Sequence, residues 1–207
     1  MPARVERKDA AEHRKLILRT AECLFDEHGV TGVSMHQIAK TAGIGQGTLY
    51  RRYAHKGDLC LDMIQNYSET FLEEAQEYLA EHRESPAEER LGWLLDSWID
   101  AIEKKADLIL TIQAHHIKES DDNRSGSFFQ TPLYLFLRDR IAELLTEIWA
   151  KREEASPPVP LLTAHALICA MAPHGHFYIK REQGYTTQQM KNNYRQMCLL
   201  PLSDAES

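Results

Sequence analysis

Cysteine is scarce and unpatterned in this 207-residue chain. Cys23, Cys60, Cys169 and Cys198 are scattered, without a CxxC or a disulfide-framework spacing, and read as reduced thiols in a cytoplasm. Long apolar runs are absent too. None approaches the roughly 20 residues that cross a bilayer, so no membrane partner is expected. The opening MPARVERKDAAEHRK is too charged for a secretory signal. Nowhere do apolar and polar residues alternate convincingly with period two, the mark of a half-buried strand. Also missing are G-x-S-x-G, H-E-x-x-H, a Cys/His nucleophile pairing and a Gly-rich loop after a strand. The expectation is a protein that is no enzyme and carries no cofactor.

What is present is helix. A chain 43% hydrophobic and 27% charged suits a soluble globular protein with a real core. Asp9 and Glu12 have capping-box spacing, and Ile17, Ala21, Leu24, Phe25 and His28 then follow one face until Gly29. Ser34 and Gln37 form a second capping box ahead of Met35, Ile38, Ala39 and Ala42, and Gly43 closes that short helix. A third short helix is expected at about 45–53, and a long one at about 56–82. Ser85-Pro86, followed by Glu88 and Glu89, starts a helix reaching about 105, and another covers about 107–118. ESDDNRSGS (119–127) is a loop, Thr131-Pro132 opens a helix to about 151, and SPPVP (156–160) breaks it. A helix over 161–181 carries a kink at Pro173, and Thr187 begins the last one. The chain is therefore expected to be all-α with nine helices. Residues 1–55 form one domain (1–8 flexible), residues 56–207 a second, and the PLSDAES tail is loose.

The net charge of −7 is unevenly spread. Residues 1–57 carry ten Lys/Arg against six Asp/Glu, a balance of +4, and the remainder carries 14 against 25, a balance of −11. A mildly basic head on an acidic body suggests that only the head meets a polyanion.

That head contains GIGQGTLYRRYAHKGDL, residues 43–59. A P-loop would need a lysine after its last glycine and a strand before its first, and the G-x-G-x-x-G spacing also fails. A short helix, a glycine turn and a second short helix instead make a helix-turn-helix, whose second helix enters the major groove. Ile44 plugs the turn, while Leu49 and Tyr53, at i and i+4, face inward. Gln46, Gly47, Thr48, Tyr50, Arg51 and Arg52 remain outside. Glutamine and arginine read base edges; Thr48, Tyr50 and Lys56 donate to phosphates; and Gly47 lets the backbone approach closely. Two arginines that merely solvate a helix are the bland alternative.

Residues 13–59 resemble the DNA-binding domain of the TetR family of transcriptional repressors, through LFDEHGVTGVSMHQIAKTAGI and GTLYRRYAHKGDL. Gly45 stands where serine is common, leaving that helix without a side-chain cap. Tyr53 replaces the usual phenylalanine, a near-neutral exchange if its hydroxyl reaches the surface. His55 and Gly57 replace a capping residue and an acid at the start of the long helix. The resemblance implies a homodimer on a palindromic double-stranded operator, released when a small molecule binds the C-terminal domain. It also implies phosphate contacts from Ser34, Thr48, Tyr50 and Lys56, and base contacts from Gln46, Arg51 and Arg52.

The second domain offers three further constellations. His115-His116, His165 with Cys169 at i+4, and His174-x-His176 have metal-ligating types, but nothing completes a set of four, and no metal is expected. Aromatics gather in the C-terminal region, and the helix around Trp93 is apolar on more than one side. Trp93, Trp98, Ile112 and Tyr134, with Ser97, Gln113, His115, His116 and His165 as polar handles, are candidates for an apolar effector site; ordinary core is the alternative. With a body of −11 around them, a neutral or cationic, mostly apolar or aromatic molecule is expected. Lastly, Ala164, Ala166, Ala170, Ala172 and Gly175, with Leu161, Leu162, Leu167, Met171, Tyr194 and Leu199, suit either a dimer interface over 160–200 or packing within one chain.

Overall fold

The computed structural model describes residues 2–116, 128–151 and 159–199; the side chains of residues 2–10, 113, 115, 116 and 199 lie outside that description. Among the described residues there are ten helices and no strand. They are α1 (Pro2–Gly32), α2 (Met35–Thr41), α3 (Gln46–Arg52), α4 (Lys56–Glu81) and α5 (Ala87–Lys104). After these come α6 (Ala106–His116), α7 (Pro132–Trp149), α8 (Pro160–Ala170), α9 (Pro173–Glu182) and α10 (Thr187–Leu199). None is long and apolar enough to cross a membrane. The expected loop at 119–127, residues 156–158 of SPPVP and the PLSDAES tail lie outside the described residues.

Two expectations about helix bounds are corrected. Helix α1 starts at Pro2, so Asp9 is not its cap. Pro173 separates two helices where a kinked single one was expected. The residue before a proline is pushed out of the helical region, and Ala172 sits at φ −58°, ψ 144°, which ends the run outright. Gly29 breaks α1 as expected, at φ 72°, where a side chain would be strained.

The chain divides into two compact units. One comprises residues 1–67 with 105–120, so it takes in the start of α4 and all of α6 as well as α1–α3. Its core is built from Ile17, Ala21, Phe25, Ile38, Leu49, Leu59, Met63 and Leu108. Lys105 is held here, its ammonium 3.4 Å above the Tyr67 ring, and the Tyr67 hydroxyl donates to Glu22.

The other comprises 68–104 and 121–207, with a core through Leu91, Leu94, Leu95, Ile99, Tyr134, Leu137, Ile141, Leu145, Leu167 and Met171. In it α10 lies antiparallel on α5 through a ladder of polar pairs. Thr187 donates to Glu103 (2.9 Å), Lys191 to Asp100 (2.5 Å) and Arg195 to both oxygens of Asp96 (2.6 and 3.0 Å). At the next rung Gly92 leaves room for the Arg195 guanidinium, which lies 3.3 Å from where a Cβ would stand.

Candidate nucleic-acid interface

Helix α2 is started by the expected box: Ser34 Oγ accepts from the Gln37 amide (3.2 Å), and Gln37 Oε1 accepts from the Ser34 amide (2.8 Å). Its end is a turn with Gly43 at φ 67°, and the Ile44 amide donates back to Ala39 (3.0 Å). Ile44 packs half-buried against the core. Gly45 then caps α3 with its carbonyl alone, without a side-chain bond. Leu49 is fully buried and Tyr53 nearly so, which fixes the opposite face outward.

On that outer face Gln46, Gly47, Tyr50, Arg51 and Arg52 are exposed, and Thr48 is half-buried. Arg51 donates to the Thr48 hydroxyl (3.2 Å), so one guanidinium arm is already oriented along the helix. A Cβ added at Gly47 would meet nothing within 4 Å, leaving the backbone open at the helix start. The structure therefore brings the candidate reading residues together on one short helix. Ser34 stands at the start of α2, its hydroxyl donating to Gln37 Oε1 (2.9 Å).

Two residues make contacts that the sequence does not show. Tyr53 is buried, and its hydroxyl donates to Asp62 on α4, which also takes a forked pair of bonds from Arg14 on α1 (2.6 and 2.9 Å). Burial, then the hydrogen bond and charge of Asp62, push the Tyr53 phenol up to about 12. Burial raises the Asp62 carboxyl, but the bonds from Arg14 and Tyr53 outweigh it and hold it below its usual value. The exchange of phenylalanine for tyrosine thus ties the end of α3 to α1 and α4. Lys56 spends two of its three N–H groups on the Val30 and Val33 carbonyls (2.7 and 2.6 Å), satisfying acceptors left over where α1 ends. At the start of α4, Asp58 reaches back and accepts from the His55 amide (3.0 Å).

One partner at this surface was missed. His36, exposed on α2, is hydrogen-bonded through Nδ1 to the Gln46 side-chain nitrogen. Ten residues separate them, so no helical period reveals the pair.

The effector candidates are less concentrated. Ile112 packs on the core of the first unit, whereas Trp93, Ser97, Trp98, Tyr134 and His165 belong to the second. Trp93 is stacked on Tyr78 (3.7 Å between centroids), which stacks on His82 (3.9 Å). Trp98 meets Phe71 edge-on, and its indole Nε1 is buried without a partner among the described residues. Tyr134 is buried with its hydroxyl on His165 Nδ1. His115, His116 and Gln113 lie outside the described side chains. No three His, Cys, Asp or Glu side chains among the described residues converge on a metal position.

Comparison with known proteins agrees with this architecture. Residues 17–63 match the family model of the bacterial regulatory proteins of the tetR family. An HTH-type transcriptional regulator of Staphylococcus aureus (strain bovine RF122 / ET3-1) is 53% identical over 66 residues, covering 32% of this chain and 36% of that one. The chain thus matches about a third of the length of that relative. Among solved structures, the TetR-family repressor FadR of Thermus thermophilus, in complex with lauroyl-CoA, has a TM-score of 0.64 at 21% identity over 94% of this chain and 99% of that one. AibR in complex with isovaleryl coenzyme A and operator DNA has a TM-score of 0.56 at 18% identity, over 92% and 100%.

Proposed function

From the premise that this chain is a TetR-family regulatory protein, we propose that it is a ligand-responsive repressor that binds a palindromic operator as a homodimer. The observation that carries this reading is α3. Its inner face is locked by Leu49 and Tyr53, and its exposed face presents Gln46, Thr48, Tyr50, Arg51 and Arg52 beside an open backbone at Gly47. Gln46, Arg51 and Arg52 read bases, and Ser34, Thr48, Tyr50 and Lys56 hold phosphates. A shift assay with the DNA upstream of its own gene tests it. No retarded complex at micromolar protein would leave a helical ligand carrier or co-regulator as the better reading.

Gly47→Ala separates folding from binding. The added methyl enters open space within a helix, where alanine is favoured over glycine by about 1 kcal/mol, so melting should shift upward. Operator affinity should fall nonetheless, because the methyl stands between the backbone and the groove. Unchanged affinity would show that the backbone makes no close approach there.

Dimerisation is supported by α8. Ala164, Leu167 and Ile168 are buried within the chain, and the sequence candidates Met171 and Tyr194 also go to that internal core. Leu161 (46% exposed), Leu162 (66%), Ala166, Cys169 and Ala170 remain outside. A helix apolar on all sides is one that is buried all round, and a second copy supplies the missing cover. Ala170→Glu should convert a particle of twice the chain mass into a monomer in light scattering at micromolar concentration. A wild-type monomer would refute the interface.

For the effector, the Trp98 N–H, buried without a partner among the described residues and set beside Phe71, suits a mostly apolar molecule carrying one hydrogen-bond acceptor. We read it as neutral or cationic. Titrating tryptophan fluorescence with neutral and cationic aromatics, and separately with lauroyl-CoA, decides the class. Quenching and operator release by lauroyl-CoA alone would overturn the neutral or cationic assignment.

A further inference from the structure

The contact between His36 and Gln46 has a direction, and that direction carries sequence information. Both side chains are exposed, on α2 and α3 respectively. Gln46 is flanked by Gly45 and Gly47, so neither neighbour in sequence offers a side chain to its amide. The frames of the two helices are fixed beneath it by Ile38 and Leu49, both fully buried, and by the backbone bond from Ile44 to Ala39. An exposed glutamine otherwise gives up rotamer freedom when it meets a base, so restraint beforehand favours reading.

The amide nitrogen of Gln46 faces His36 Nδ1. A ring that accepts at Nδ1 carries its proton on Nε2. One N–H of Gln46 is then turned toward His36, and the outer edge of the amide presents the other N–H beside Oε1. A donor next to an acceptor matches N7 and the N6 amino group of adenine in the major groove. The flipped amide, with Oε1 on the ring, would present N–H groups alone outward, which suits the N7 and O6 acceptors of guanine.

We infer that His36 is a positioning residue for DNA reading, holding the Gln46 amide in the orientation that selects adenine at one position of each half-site. The inference rests on the function proposed above. Selection from a random duplex library with the full-length protein, followed by affinities for single-base variants of the enriched site, tests both. Gln46→Ala should lower the A·T preference at one position per half-site by roughly tenfold, the discrimination of one bidentate contact. His36→Ala should lower it at that same position by about fivefold and leave other positions within about twofold, and the double variant should match Gln46→Ala, as coupled residues do. His36→Asn, whose Oδ1 can stand where Nδ1 stood, should restore the preference. A merely structural role for His36 would weaken every position alike, with no rescue by asparagine. If the wild-type protein enriches no inverted repeat, the DNA-reading function falls and this inference with it. If it enriches one and His36→Ala keeps the full adenine preference, or changes a different position, the inference alone is overturned.

Discussion

Raising salt from 50 to 200 mM should cost the operator complex about four orders of magnitude in affinity, with a log–log slope of roughly −7. Four exposed or half-buried cations per head can displace counterion from the duplex, Lys40 and Lys56 at phosphates and Arg51 and Arg52 in the groove, hence eight in a dimer. Each phosphate neutralised releases condensed counterion, at about 0.9 per contact on duplex DNA. The remainder of the chain, at −11, adds no attraction of its own. Arg52→Ala should therefore flatten the slope by close to 2 per dimer. Lys56→Ala should do more than remove a phosphate contact. It also strips the Val30 and Val33 carbonyls of their donor, at a cost of about 1–3 kcal/mol in stability, so its binding loss should be accompanied by earlier melting. Filter binding across a salt series measures the slope. A slope shallower than about −2 with sequence preference intact would sink the placement of these cations against the duplex.

The parts of the fold legible from the chain were those governed by local rules. The Ser34/Gln37 box, the left-handed Gly29 and Gly43, and the inward pair Leu49 and Tyr53 all depend on residues within one turn of each other. A second box escaped notice: Thr186 and Gln189 exchange reciprocal bonds (2.8 and 3.2 Å) and start α10. What could not be read was tertiary pairing. Nothing in periodicity brings Tyr53 to Asp62, Gln46 to His36, or Glu103 to side chains more than seventy positions away. Ile112, grouped by composition with the effector candidates, belongs to another core because α6 packs on α1. Outward residues of a recognition helix follow from its inward ones, whereas a pocket depends on which helices meet.

Replacing Glu103 should give the largest loss of stability, and the loss should depend on pH. Its carboxylate accepts from His176 Nε2 (2.6 Å), Lys180 (2.5 Å) and the Thr187 hydroxyl (2.9 Å), joining α5 to α9 and α10. Burial raises its pKa, but those bonds and the Lys180 charge outweigh it and bring the carboxyl down to about 2 from an ordinary 4.5. A carboxyl whose folded value is depressed contributes stability above its unfolded value, and loses it as pH falls from about 5 toward 2. The shift corresponds to about 3 kcal/mol at neutral pH, of which roughly 2 should be gone by pH 3. Glu103→Gln keeps an acceptor and removes the charge. It should lie about 3 kcal/mol below the wild type at pH 7, lowering the melting temperature by roughly 6–12 °C, and only about 1 kcal/mol below it at pH 3. Glu103→Ala should fare worse at both pH values. His176 is fully buried and its Nδ1 already lacks a partner among the described residues, so losing Glu103 leaves both ring nitrogens unpaired. Urea unfolding followed by circular dichroism at the two pH values measures the gap between wild type and Glu103→Gln. A gap that stayed constant from pH 7 to pH 3 would mean that the carboxylate charge contributes nothing and that its three partners serve only to fill space.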